Sequence, residues 1–286
     1  TLDDMSVNDI ALKYGKAEGS GFLNITDMRK DTSLFRSIVS VNEINYEFKG
    51  FMNKGESLYL SGTPGFTLSA YFPDDKSSVF TCRTRDFPVY IKNCKSIFNL
   101  NINGSTEEGK LPAVNITNSS VSNLFFLRGS DNRITVNGNL RNNSLRLSSL
   151  RIKDAFSTVT GTGEGVFTDK ANMGGWFRGT GSSPDEHYVI NLSLKNNNIG
   201  LDAEIVNSRL ERFIHIPVTG SLSGSVNVSG TMDSPEFSID ADIRKGTIFR
   251  EPMEFATSIS VTRDRSEIKS FNGYLGSVDI LSTFGF

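Results

Sequence analysis

The residues of this chain that could do chemistry are two histidines, two cysteines and a few clustered carboxylates. His187 lies in "SPDEHY" beside Asp185 and Glu186, and a histidine flanked by carboxylates could act as a general base. The proline just before the acidic pair makes this stretch turn chemistry instead. His215 stands between Ile214 and Ile216 in "RFIHIPV", the place of a strand residue and not of a ligand. A nucleophile triad needs a histidine with a presented serine or cysteine, and the chain has no G-x-S-x-G elbow. "GTGEGVF" (Gly161 to Phe167) has the glycines of a phosphate loop, but neither a helical pattern nor G-K-[ST] follows it. It reads as a bend within a strand. Asp74 and Asp75 in "FPDDKSS" could bind calcium only within a larger oxygen cage, and they mark a loop tip. Carboxylates paired for sugar hydrolysis would be distant in sequence, and no feature singles any out. The expectation is a protein that is not an enzyme and holds no metal or cofactor.

Cys82 and Cys94 bound "TCRTRDFPVYIKNC", with Pro88 at their midpoint. Strands folding back at Pro88 would bring the thiols opposite each other, giving one disulfide and implying an oxidising compartment. The alternative is two free thiols; two cysteines cannot complete a four-ligand zinc site. Sequons begin at Asn24, Asn103, Asn115, Asn118, Asn142, Asn191 and Asn227, as chance provides in a chain rich in Asn and Ser.

The elements that would carry these residues are short and alternating. In "GSLSGSVNVSGT", Gly220, Leu222, Gly224, Val226, Val228 and Gly230 alternate with Ser and Asn, the period of a half-buried strand. After Pro235 the apolar set is Phe237, Ile239, Ala241 and Ile243. Ile190, Leu192 and Leu194 precede "KNNN", and Ile199, Leu201, Ala203 and Ile205 follow it, which predicts a hairpin. Leu145 and Leu147 slip in phase against Leu150 and Ile152, which predicts a bulge at Ser148–Ser149. Thr32 to Ser40 and Asn207 to His215 instead space apolar residues three and four apart, so each predicts a short helix.

The 286 residues allow one large or two ordinary domains, and the pattern implies about twenty strands with no intervening helices. That excludes a parallel α/β sheet and leaves stacked sandwiches, a β-solenoid or one long curled sheet. Lys plus Arg number 30 against 32 for Asp plus Glu, so there is no nucleic-acid footprint. No apolar run is long enough for a membrane-spanning helix. The alternation of Val278, Ile280, Ser282, Phe284 and Phe286 to the last residue suggests a segment of a longer chain.

The run from Gly220 to Val261 resembles the repeating signature of the TamB/AsmA-like family of bacterial envelope proteins. The matching positions are Gly220, Leu222, Gly224, Val226, Val228, Gly230, Thr231, Pro235 and Gly246. The preceding "IGLDAEIVNSRLERFIHIPV" fits the family's strand and short apolar helix, and Leu145 to Phe167 is a weaker second instance. Residues 145–286 carry the clear resemblance; 1–144 share its texture, and the cysteine pair stands outside it. The resemblance implies one continuous all-β segment, a long and mostly antiparallel sheet curled into a U-shaped hydrophobic groove with one or two short helices. It implies a periplasmic location with an inner-membrane anchor elsewhere in the parent chain, in a diderm bacterium. The implied function is non-catalytic carriage of phospholipid between inner and outer membranes. Assembly of outer-membrane β-barrels with a BamA-like partner is the alternative. A β-solenoid adhesin or carbohydrate-binding protein is a third reading. The expected lipid-facing residues are Leu222, Val226, Val228, Phe237, Ile239, Ala241 and Ile243, with Ile190, Leu192, Leu194, Leu201, Ala203 and Ile205 on neighbouring strands.

Overall fold

A computed structural model describes residues 3–14, 17–41, 44–91, 94–127, 129–169, 172–183, 185–214 and 216–285. The chain is almost all β and divides into two compact units, residues 1–142 and 143–286. In each unit the strands form an antiparallel sheet that does not close into a barrel.

The first unit begins with β1 (Met5–Tyr14), β2 (Ala17–Thr26), β3 (Thr32–Val41) and β4 (Ile44–Asn53). Next come β5 (Ser57–Thr63), β6 (Phe66–Asp74), β7 (Ser77–Thr84) and β8 (Phe87–Ile91). It ends with β9 (Cys94–Asn99), β10 (Asn101–Glu107), β11 (Ala113–Ser122) and β12 (Arg133–Arg141). From β1 to β7 each strand pairs with the next. The order then jumps, because β7 pairs with β10 while β8 and β9 make a hairpin whose β9 continues along β11. Tyr46 anchors that hairpin: its buried hydroxyl donates to the Pro88 carbonyl at 2.6 Å, and its ring lies 5.3 Å from that of Phe87.

This topology overturns the expected opposition of the cysteines. The chain reverses between Ile91 and Cys94, not at Pro88, so Cys94 faces Ile91 while Cys82 faces Leu68 and Ile102. Both thiols are free. Burial pushes the Cys82 thiol above its ordinary pKa, and the Cys94 thiol donates to the Asn123 carbonyl at 3.0 Å. Thr32 to Ser40 is likewise not a helix but the body of β3. Its Thr, Ser, Ile and Val are weak helix formers. Between β2 and β4, every apolar residue of this strand has a cross-strand neighbour on one face or the other. Asp74 does sit at a loop tip, its Oδ1 accepting from the Lys76 amide at 2.8 Å, which holds its carboxyl below the usual range.

The second unit is a simple meander. Its strands are β13 (Ser144–Lys153), β14 (Thr158–Asp169), β15 (Asn172–Thr180), β16 (His187–Lys195) and β17 (Asn198–Arg209). They continue as β18 (Val218–Thr231), β19 (Ser234–Ile248), β20 (Glu251–Val261), β21 (Ser266–Leu275) and β22 (Val278–Gly285). Each pairs antiparallel with the next. The register of β13 on β14 shifts between Leu147 and Leu150, where the phase slip placed a bulge. The β16–β17 hairpin turns through Asn196 and Asn197 at φ 48° and 69°, a left-handed pair that Asn tolerates. Gly161 to Phe167 lies inside β14. A side chain at Gly161 would overlap the Phe177 ring, so the aromatic fills space that the glycine leaves on its face. Asn207 to His215 begins as strand; only Leu210–Arg212 form a 3-10 turn, and His215 lies outside the described residues. Arg209 at its N-cap offers no side-chain cap, so nothing there nucleates a longer helix.

Candidate functional site

Cross-strand register places all the expected lipid-facing residues on one face of the second sheet. Leu222 faces Ile243, Gly224 faces Ala241, Val226 faces Ile239 and Val228 faces Phe237. On the other side of β18, Leu201 faces Val228 and Ala203 faces Val226, while Ile205 faces Gly224. The face continues onto β16, where Leu194, Leu192 and Ile190 face Ile199, Leu201 and Ala203. It continues onto β20, where Val261, Ile259 and Phe255 face Phe237, Ile239 and Ile243. Directly opposed pairs on one face share a side of the pleat, so this is a continuous apolar surface across neighbouring strands.

Its exposure distinguishes an open face from a closed core. Val228 is 6% exposed, but Ile190, Leu192 and Phe237 are 38%, 41% and 37% exposed, and the rest of the set is half-buried. Among the described residues of this unit, only Val159, Leu210, Val218, Val228 and Met253 are buried apolar residues. Neighbouring strands shield the roots of these side chains, whereas a second layer would have taken them out of water. The opposite face is mixed but richer in polar groups: a shallow depression there, about 450 Å³, is lined by Asn191, Asp202, Glu204, Asn227 and Asp240 together with Val189 and Val206.

One end of the apolar face is covered. The connection from β17 to β18 folds Leu210 against Val218 and Met253, and Leu222, Ile243 and Phe255 pack on that cluster. Arg212, in the same connection, lies partly buried between two buried carboxylates. Its Nε donates to Asp154 Oδ2 at 2.6 Å and its Nη1 to Glu186 Oε1 at 2.8 Å. Asp154 also accepts from the amides of Phe156 and Ser157 at 2.8 and 2.9 Å. The Tyr188 hydroxyl donates to Glu186 Oε1 at 2.5 Å, and Arg212 donates to Tyr188 and Ser157 oxygens. Desolvation lowers the Arg212 pKa, but the Asp154 hydrogen bond and the surrounding negative charge outweigh it, leaving the guanidinium above its ordinary value. Hydrogen bonds from Arg212 to Asp154, Glu186 and Ser157 tie three connections together, so the cluster is a clamp that fixes the connection.

Burial, then the Glu186 hydrogen bond, push Tyr188 up to about 12 from 10.0. Between pH 10 and 12 the unfolded chain releases this proton while the folded one keeps it, so stability falls as pH rises through that window. Thermal melts should therefore show a steeper alkaline loss in the wild type than in Tyr188→Phe, the difference being confined to that range.

Sequence reasoning took Asp185 and Glu186 together as turn residues. Asp185 is exposed, whereas Glu186 belongs to the clamp. His187 is exposed, with Nδ1 3.3 Å from the Asp185 carbonyl oxygen. Asp154 and Arg212 were missed, and no spacing could have joined residues so far apart. Comparison with known protein families, characterised proteins and solved structures finds no match.

Proposed function

We propose that the apolar face of the second unit takes the acyl chains of phospholipids. In this reading the chain is part of a non-catalytic, TamB/AsmA-like conduit that carries lipid across the periplasm between inner and outer membranes. The observation that carries it is the continuous, half-exposed surface of Leu, Val, Ile and Phe running from β16 to β20. An acyl chain has no directional polar groups to satisfy. Each CH₂ it buries contributes about 0.8 kcal/mol, so a surface made only of hydrocarbon suits it. Because the surface continues from strand to strand, a bound chain can shift along it without breaking any specific contact. A sheet of this many strands curls under its own twist, which would give the face the concavity of a U-shaped groove. The Gly220-to-Thr231 spacing with Pro235 adds the family resemblance. An uncovered apolar surface of this extent is otherwise an aggregation hazard, which also points to a ligand.

Native mass spectrometry and lipid extraction of the purified chain test this reading. The expected result is co-purifying phospholipid that dissociates as intact lipid. Lipid-free protein that neither aggregates nor takes up added phospholipid would overturn it.

A further inference from the structure

The two ends of the strands in the second unit differ in chemistry. At one end the reversals run through Asn196–Asn197, Met232–Asp233 and the segment containing Arg263 and Asp264. Met232 is the only large apolar residue among them. At the other end three neighbouring connections expose Phe213, Ile216, Phe249, Leu275 and Val278. These connections touch: the Phe249 amide donates to the Pro217 carbonyl at 3.1 Å, and the Gly276 amide donates to the Pro252 carbonyl at 2.8 Å. Their apolar groups adjoin the binding face, since Leu210, in the same connection as Phe213 and Ile216, packs with Leu222, Ile243 and Phe255.

The turn between β19 and β20 adds a second, independent observation. Phe249 and Arg250 both sit in the left-handed region, at φ 50° and 76°. Corresponding turns elsewhere in the chain use Asn–Asn pairs, which tolerate that backbone; a bulky aromatic does not. The Phe249 side chain gains little within the protein to offset the strain, because the residue is 67% exposed. A strained turn that holds an aromatic ring in water, followed by an arginine, matches what a lipid interface accepts. The ring enters the headgroup–acyl boundary and the guanidinium remains with the phosphates.

We propose that this end of the sheet is a bilayer-contacting rim. Phe213, Ile216 and Phe249 insert into the interface and Arg250 pairs with headgroup phosphate. The contact does not rest on the lipid-carrying function proposed above.

Flotation with vesicles of phosphatidylcholine and phosphatidylglycerol, three to one, tests the contact. Wild-type protein should float. Phe213→Ser/Ile216→Ser/Phe249→Ser should reduce the floating fraction at least tenfold, and Met232→Ser, at the opposite end, should leave it unchanged. Phe249→Asn guards against misfolding as the cause: it should raise Tm by relieving the backbone while lowering flotation, which a purely structural residue would not do. A wild type that stays with the dense fraction overturns the rim, as does a triple variant that floats equally well or a Met232→Ser loss of the same size. Mass spectrometry of detergent-purified protein reads the apolar face separately. Variants loaded with lipid but floating like wild type would sink the rim and spare the conduit. An empty protein that floats through the rim would do the reverse.

Discussion

Arg212→Met should destabilise the second unit by about 3–5 kcal/mol, because it leaves two carboxylates buried without a counter-charge. The side chains of Asp154 and Glu186 are each 2% exposed, so water cannot replace the guanidinium. For a unit of this size the loss corresponds to a Tm lower by roughly 10 °C, measurable by thermal or urea denaturation. Arg212→Met with Asp154→Asn and Glu186→Gln should recover most of it, since neutral amides cost far less to bury than unpaired charges. Arg36→Met provides the contrast. Its ion pair with Glu47 is 3.3 Å long and lies in solvent, so its loss should cost no more than about 1 kcal/mol. If Arg212→Met and Arg36→Met were equally mild, the clamp would not be what holds the Leu210 connection over the end of the apolar face.

The fold was legible wherever one face is wet and the other apolar, because a period of two leaves a strand little freedom of register. That is why Leu222, Val226 and Val228 and, after Pro235, Phe237, Ile239 and Ile243 were readable as one apolar set, while the Met232–Asp233 turn that pairs them was not singled out. The phase slip at Ser148–Ser149 and the Asn196–Asn197 hairpin were equally readable, since a bulge and a left-handed turn each leave a local mark. Thr32 to Ser40 misled because β3 is apolar on both faces: Phe35 faces Ile25 and Gly50, while Leu34 faces Thr26 and Phe51. Two apolar faces imitate helical spacing. The cysteines were misplaced because β7, which carries Cys82, pairs with β6 and β10 and not with β9, a long-range arrangement that no local pattern encodes. The clamp was invisible for the same reason. Asp154, Glu186 and Arg212 meet only because consecutive hairpins bring their connections to the same end of the sheet.

Aspartate at Val226 and at Val228 should have opposite outcomes, although the two residues occupy alternate rungs of the same face. Val226 is half-buried, so a carboxylate there can reach water, and the expected cost is about 1–2 kcal/mol with the sheet intact. Val228 is 6% exposed between Leu201 and Phe237, and a carboxylate there should cost about 4 kcal/mol or more. Circular dichroism and thermal melts would read the difference. Bound phospholipid should fall at least tenfold in Val226→Asp, because a charge in the path of an acyl chain removes well over the 1.4 kcal/mol that a tenfold loss requires. Ile239→Leu conserves hydrocarbon at the rung directly opposite Val226 and should retain lipid. The comparison separates an open face from a core. In a core, Val226→Asp would unfold the unit as Val228→Asp does, and lipid would vanish with the fold. On an open face the fold survives and only the lipid is lost, so a folded, lipid-free Val226→Asp beside a folded, loaded Ile239→Leu is the result the half-exposed surface requires.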